Sequence, residues 1–399
     1  LSADMTKDSF HEKIILTLSF LILNNYLLLS LNFFQLIIKI NFIIFLIVIF
    51  VFYFKNYSEN YFLKIFFLVI VFISLGTPTF EWDPRSIWLF HAKRIFYDQS
   101  IFSVSDNYAE LWHNAYPSLA PALASSLATL VGYWNEVFPK LSFLLMFLPP
   151  LILINVFFKN TQYLIFLSIV FFTIGRHLFN GWADGLVAVY FCLSTFLMYL
   201  LIVSENNFFK KKVIFYLIAF CFFTTLTLIK NEGIALLLIL FVATFLIKLY
   251  QGDLKNNIIK LIYLSFSFIP IILWKLFCYS KGIGNDYINS NILLNILPRL
   301  YEIENYKLIS YFLLLNEKFI YSLVFFLATF WIKWNTELFR FISFIALSYI
   351  FILFFIFLST PYDLHWQLAS TATRVIKSLS FLLAFFGLYN LVNHEIKTA

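Results

Sequence analysis

Long apolar runs separated by short polar loops dominate this chain, and they decide what it can fold into. A run of about 20 apolar residues crosses a bilayer as a helix, and a chain with many such runs cannot hide them all from water. Apolar runs lie near residues 14–33, 36–54, 61–78, 136–157, 161–175, 182–203, 213–229, 233–250, 260–279, 312–331, 338–358 and 375–392. The expected fold is all-α, a polytopic transmembrane helical bundle of about twelve spans. Composition agrees, with 62% hydrophobic and only 12% charged residues over 399 positions. No internal repeat or low-complexity linker divides the chain, so residues 1–399 read as a single membrane domain. The first run follows a polar stretch ending at Lys13 and no small-residue cleavage site comes after it, so it reads as an anchor. Cys192, Cys221 and Cys278 fall inside apolar runs and read as packing residues.

The net charge of +7 sits largely in short loops. It therefore reads as membrane orientation and gives no reason to expect a nucleic-acid partner. The 204–212 loop sets three lysines, Lys210 to Lys212, against Glu205 alone, and the loops at 55–60, Lys159, 251–260 and Lys333 to Arg340 are basic or mixed. They alternate with acidic, aromatic loops. The positive-inside bias puts both termini in the cytoplasm and segments 79–135, 176–181, 230–232, 280–311 and 359–374 outside. The long first external loop, 79–135, is the expected catalytic loop, and 280–311 is the second external loop. Within the first, residues 84–97 form a helix with a Trp88/Phe90 apolar side and an Arg85/Lys93/Arg94 polar side, and residues 117–132 form another short apolar helix. Both are expected to lie at the interface, because a spanning 117–132 would invert every later loop.

The residues best able to do chemistry cluster on that external side. Charges are costly near a bilayer, so a gathering of them at one interface suggests a site. Asp83 in Glu81-Trp82-Asp83-Pro84-Arg85 is either an N-cap ahead of a first-turn proline or a general base in a polar pocket. Asp184, after Trp182-Ala183, is either favoured by the helix dipole or faces a cavity at membrane depth. Lys230, Asn231 and Glu232 are either an interfacial ion pair or a hairpin tip that pushes polar groups into a pocket. Segment 361–374 carries Asp363, His365, Trp366, Ser370, Thr371, Thr373 and Arg374. It is either a capped helix terminus with a snorkelling arginine or a phosphate site, with Tyr362 and Trp366 placed to stack on a sugar. His91, His113 and His177 have no metal-ligand spacing, and no nucleotide-phosphate loop or nucleophile elbow is present. No metal site is assigned, no cofactor is required, and dependence on a divalent metal is left open.

Several of these motifs together resemble bacterial membrane glycosyltransferases of the GT-C superfamily, which includes protein mannosyltransferases and aminoarabinose transferases. The resemblance runs through Trp82-Asp83-Pro84-Arg85-Ser86-Ile87-Trp88, Tyr116-Pro117, Ala183-Asp184-Gly185-Leu186 and Lys230-Asn231-Glu232-Gly233. The stretch from Thr360 to Ser370, with Arg374, is similar to the uncharacterised branch of that group. The likeness covers roughly residues 61–392. It implies a polyprenyl-phosphate sugar donor, a lipid, glycan or protein acceptor, surrounding membrane lipid, and an integral protein of the bacterial inner membrane with its site facing the periplasm or exterior. It also implies an acidic residue early in the first external loop, which maps onto Asp83. Family members often carry two adjacent acids there. Here Asp83 is followed by Pro84 with Glu81 two residues before, so Glu81 and Asp83 both stand as the base. Two extra spans also precede the loop.

The residues suit that chemistry. An acceptor hydroxyl loses a proton as it attacks the anomeric carbon, and one carboxylate can take it. The candidate catalytic residues are Asp83, Glu81 and Asp184. The leaving phosphate needs cations, and Arg374, Lys230 and Arg85 are placed to supply them. Trp82, Lys93, Tyr116, Glu232, Asp363, His365 and Trp366 complete the candidate substrate-binding set. Two other classes compete. A transporter or flippase needs mid-membrane polar residues and usually repeated halves or broken helices. An O-antigen polymerase or ligase carries external Arg and His loops, with the key loop late in the chain.

The orientation carries its own test. Reporter fusions after Lys212 and within 280–311 are expected to give opposite signals, the first cytoplasmic. An external signal at Lys212 would mean that residues 117–132 span the membrane.

Overall fold

The computed structural model describes residues 2–33, 35–55, 61–106, 108, 113–158, 160–204, 213–284 and 292–398. These residues form helices and connecting turns, with no strand among them. The α-helices are α1 (Ser2–Ser30), α2 (Gln35–Lys55), α3 (Tyr61–Gly76), α4 (Leu89–Asp98), α5 (Leu119–Val131), α6 (Phe138–Met146), α7 (Leu148–Phe157), α8 (Asn160–Ile174), α9 (Asp184–Met198), α10 (Val213–Ile229), α11 (Glu232–Tyr250), α12 (Leu254–Ser265), α13 (Ile269–Ser280), α14 (Ile292–Leu300), α15 (Ile303–Leu314), α16 (Glu317–Ile332), α17 (Thr336–Ser359) and α18 (Leu364–Thr398). Among the described residues, nine helical stretches are long and apolar enough to cross a bilayer, or up to ten if α15 and α16, bent by 71° from one another, make one span. Together with the short apolar helices α3 and α10, these stretches fall on the apolar runs of the sequence. The protein is an integral membrane protein by this architecture.

Hydrophobicity sorts the helices from centre to rim. Every residue of α9 is buried, and the middle of α18, from about residue 376 to 390, is nearly as enclosed. Helices apolar on all sides belong at the centre of a bundle. The outer helices turn apolar side chains outward, as with Leu36 on α2, Phe72 on α3 and Phe351 on α17, where lipid replaces protein as the neighbour. Helix α18 packs along α16 and α9, and α10 packs against α9 and α1.

The helix ends sort into two sets. At one end of the bundle, Ser74 Oγ donates to the Phe179 carbonyl (2.9 Å), Lys140 Nζ donates to the Thr77 carbonyl, and Arg299 donates to the carbonyls of Thr360 (2.7 Å) and Tyr362 (2.9 Å). At the other end, Lys64 Nζ donates to the Tyr53 carbonyl (2.7 Å), Gln251 donates to Glu337 (2.7 Å) and Asn390 donates to the Lys333 carbonyl (2.8 Å). The polar clusters around residues 83, 184, 230 and 374 all lie at the first end.

Three details differ from the reading of the sequence. Helix α5 is enclosed along its length, from Leu119 to Thr129, and does not lie on a surface with one face open. Its many alanines and serines let α4, α6, α1 and α2 pack close on every side. In the 84–97 segment, Trp88 is buried but Phe90 is exposed. The reason is helical geometry: residues two apart point to nearly opposite sides of a helix, so Trp88, the last residue of a π turn over Pro84–Trp88, and Phe90 cannot share one face. The last span begins at Leu364, well before residue 375. The basic cluster Lys210 to Lys212, Lys159, most of the 55–60 loop and the middle of the 280–311 loop lie outside the described residues.

Two glycines show how closely the chain approaches itself near the polar end. A Cβ on Gly233 would lie 2.0 Å from the Leu226 carbonyl oxygen, and one on Gly185 would lie 2.8 Å from Ile174 Cγ2. The first contact is with backbone, so α10 and α11 would have to separate to admit it. Gly233→Ala is therefore expected to lower the melting temperature of the detergent-solubilised protein by several degrees, a loss of about 1–3 kcal/mol from overpacking. A parent-like melt for Gly233→Ala would contradict this packing.

Candidate functional site

Asp83 leaves the loop after α3 just before the π turn. Its carboxylate makes no helix-capping hydrogen bond. It turns inward, where it is buried and gripped by Arg374 of α18: Nη2 meets Oδ2 in a close contact and Nη1 lies 3.4 Å from Oδ1. Asp184 opens α9 and is also buried without capping. It accepts from Lys230 Nζ at 2.8 Å, and Arg374 Nε lies 3.4 Å from its other oxygen. Lys230 reaches Glu232 as well, at 3.0 Å. The guanidinium of Arg374 rests on the Trp182 ring, 4.3 Å from its centroid. The result is one chain of charge, Glu232–Lys230–Asp184–Arg374–Asp83, in which three carboxylates face two cations. It joins four polar clusters that are far apart in sequence.

Burial and neighbouring charges together set the protonation of these groups. It raises the Asp83 carboxyl above the usual aspartate range, with Asp184 adding to the rise and Arg374 opposing it. Burial alone disfavours the Lys230 ammonium, yet Asp184 and Glu232 hold it well above the ordinary lysine value. A carboxylate with a raised pKa beside a firmly charged lysine is an arrangement fit for proton transfer.

The network borders a cavity of about 340 Å³. Its polar wall comprises Asp83, Lys230, Glu232, Gln367, Thr371 and Arg374, with His113 and Tyr116 at one side. Its other wall is apolar and comes mainly from α17, through Ile352, Leu353, Phe355 and Ile356. Phe355 and Ile356 are exposed on the outer side of that helix. The space thus joins a charged end to a hydrocarbon flank.

Five of the expected site residues besides Asp83 gather here or directly behind it: Asp184, Lys230, Glu232, Arg374 and Tyr116. Tyr116 stacks between Trp88 (5.6 Å) and His113 (4.6 Å). The others lie elsewhere. Glu81 pairs with Arg176 at 2.7 Å in an exposed contact and does not line the cavity. Two residues beyond it the chain turns inward, and only Asp83 follows. Arg85 and Lys93 are exposed and line a separate surface recess with Trp134 and Glu136. Trp82 is half exposed and outside the cavity lining. Asp363 accepts from the Trp366 backbone N–H at 2.8 Å, so it is a plain helix cap. His365 packs edge-on against Phe312 (5.6 Å), and Trp366 lies exposed beside Tyr362. The hydroxyls of Ser370 and Thr371 donate back to the Gln367 carbonyl (3.1 and 2.7 Å). Arg374 lies about three turns inside α18. The anion cradle expected at a helix start is therefore absent there. Asp363 takes up first-turn N–H groups of α18, and Arg374 lines the cavity instead.

Other contributors carried little signal in the sequence. Trp182 supplies the platform under Arg374. Lys275 of α13 donates to the Ala115 carbonyl (2.9 Å) and to Asn231 (2.6 Å), and Trp274 Nε1 donates to the same carbonyl (3.2 Å). These bonds pin the loop bearing Tyr116 to the tip bearing Lys230. A Trp-Lys pair near the end of an apolar run is an ordinary interfacial pattern, so its role emerges only from the packing. Comparison with known protein families, curated proteins and solved structures yields no match to this chain.

The buried network makes a stability prediction. Lys230→Met strands Asp184 with only the more distant Arg374, and losing one partner of a buried pair costs about 3–5 kcal/mol. A large drop in melting temperature in detergent is expected. The Asp184→Asn/Lys230→Met double variant should recover part of that loss, because less charge is left stranded. A parent-like melt for Lys230→Met would mean that the pair is not buried as described.

Proposed function

We propose that the protein is a membrane glycosyltransferase that moves a sugar from a polyprenyl-phosphate donor to a hydroxyl-bearing acceptor at the polar end of the bundle. The observation that carries this reading is a single cavity that sets the Asp83 carboxylate and the cations Arg374 and Lys230 at the end of an apolar wall. A lipid-linked sugar has the matching shape: a hydrocarbon chain, a phosphate, and a polar sugar beyond it. The resemblance of the Trp82–Trp88, Ala183–Leu186 and Lys230–Gly233 motifs to GT-C enzymes points the same way.

The roles follow from position. The tail lies against Ile352 and Ile356 of α17. The phosphate meets Lys230 and Arg374, each of which has N–H groups beyond those it gives to carboxylates. The acceptor oxygen attacks the anomeric carbon, its proton passes to Asp83, and the bond to the phosphate breaks with the electron pair leaving on polyprenyl phosphate. The cations stabilise that leaving group. Asp184 positions Lys230 and Arg374. Of the two acids near the start of the first external loop, Asp83 is favoured over Glu81 because only Asp83 lines the cavity. The alternation of basic and acidic loops and the resemblance support a site outside the cytoplasm, in a bacterial inner membrane.

Membranes containing the protein are expected to release free polyprenyl phosphate from a labelled lipid-linked sugar. Asp83→Asn should cut transfer by more than tenfold, above roughly 1.4 kcal/mol of barrier, with the donor still bound. Transfer within tenfold of the parent would remove Asp83 as the base. Because burial raises its pKa, Asp83 is protonated and inactive at the acid end, so transfer should fall as pH drops, with a midpoint above the usual aspartate range. Arg374→Ala should weaken donor affinity and slow turnover, and Arg374→Lys should restore only part of the activity, because the guanidinium fork is lost. Normal donor binding and turnover by Arg374→Ala would leave Arg374 as a structural anchor only.

A further inference from the structure

A second cavity, of about 520 Å³, is walled in part by Thr373 and Lys377, which flank Arg374 along α18. His177 stacks on the Trp182 ring, 4.9 Å from its centroid, and its Nε2 lies 2.5 Å from Lys377 Nζ. The cavity is lined by Arg176, Lys318 and Lys377, with Thr373 and Asn316, and by one carboxylate, Glu317. Arg176 is already neutralised by Glu81. Neither Lys318 nor Lys377 has a carboxylate within ion-pair distance among the described residues. Lys318, in the first turn of α16, reaches the Thr173 carbonyl at 3.5 Å and lies 5.7 Å from the Phe172 ring. Two uncompensated ammonium groups on membrane helices are costly, and a resident anion would offset that cost.

Lys318 also closes the end of a third cavity, an apolar groove of about 770 Å³ between α3 and α8. Its walls include Phe62, Phe66, Leu164, Ser168 and Phe171. The outward exposure of Leu164 and Phe171 places the groove on the lipid-facing side of the bundle. The same lysine therefore ends a hydrocarbon groove and begins a cationic cavity.

We propose that the groove and the cationic cavity form one binding site for an anionic glycerophospholipid, separate from the Asp83 cavity. Its acyl chains lie between α3 and α8 and its phosphate meets Lys318 and Lys377. The occupant is a bilayer lipid because the groove faces the bilayer, and it is anionic because the charge at the groove's end is positive.

The test is native mass spectrometry of the whole protein in mild detergent, with phosphatidylglycerol or phosphatidylcholine of identical chains added. The parent should retain phosphatidylglycerol several-fold more than phosphatidylcholine. Lys318→Gln/Lys377→Gln should lose that preference about fivefold or more, and Lys318→Arg/Lys377→Arg should keep it, which separates lost charge from lost folding. Ser168→Trp, which fills the groove and leaves both lysines, should reduce retention of the lipid. Three results would each overturn the proposal: no headgroup preference in the parent, an undiminished preference in the double glutamine variant, or unchanged binding in Ser168→Trp. Displacement of the lipid by an equal concentration of inorganic phosphate would make this a free-phosphate site and overturn it as well.

Discussion

Arg374 is the contact on which the polar end of this bundle depends. Its guanidinium holds Asp83 from the first long loop, lies near Asp184 at the start of α9 and rests on Trp182. A planar, permanently charged group can serve several such partners at once, which an ammonium could not do with the same geometry. Without it, two buried carboxylates would share Lys230 alone. The neighbouring structure supports this arrangement. The close approach at Gly233 brings Lys230 under α9, and Lys275 ties the Tyr116 loop to the same tip. The site's charge and the bundle's packing are thus two aspects of one constraint: polar groups at a bilayer edge must satisfy one another.

The fold was largely legible because membrane spans announce themselves. A run of apolar residues near 20 long has few alternatives once backbone hydrogen bonds must be made within the segment. What the runs did not disclose was depth. Helix α5 looks like an interfacial segment by length and composition, but its small side chains let it sink among four neighbours. The start of α18 lies earlier than the apolar pattern suggests, because Asp363 caps the helix and His365 and Gln367 fall in its first turn.

The site was legible as a set of clusters and not as a geometry. Asp83, Asp184, Lys230, Glu232 and Arg374 stood out because charge at a helix end in a membrane protein needs a reason. Which of their neighbours joined them depended on the direction of each side chain. Glu81 and Asp83 are two residues apart, just ahead of the π turn at Pro84, yet Glu81 pairs with Arg176 and Asp83 reaches Arg374 in the cavity. Asp363, one of the candidate substrate-binding residues, caps the start of α18 instead. The stack of His177, Trp182 and Arg374 joins residues with no shared sequence pattern.

The spacing of the network's members along the chain has a consequence for assembly. A chain is made from its N-terminus, and its early segments emerge first. Asp184 precedes its lysine by 46 residues, and Asp83 precedes its arginine by 291. Both carboxylates therefore enter the bilayer's edge long before the cations that neutralise them. Until α18 arrives, Asp83 lacks the arginine that pairs with it in the finished bundle. Completion of the last helix is then the event that locks the first loop in place, so the order of synthesis doubles as a checkpoint on the site.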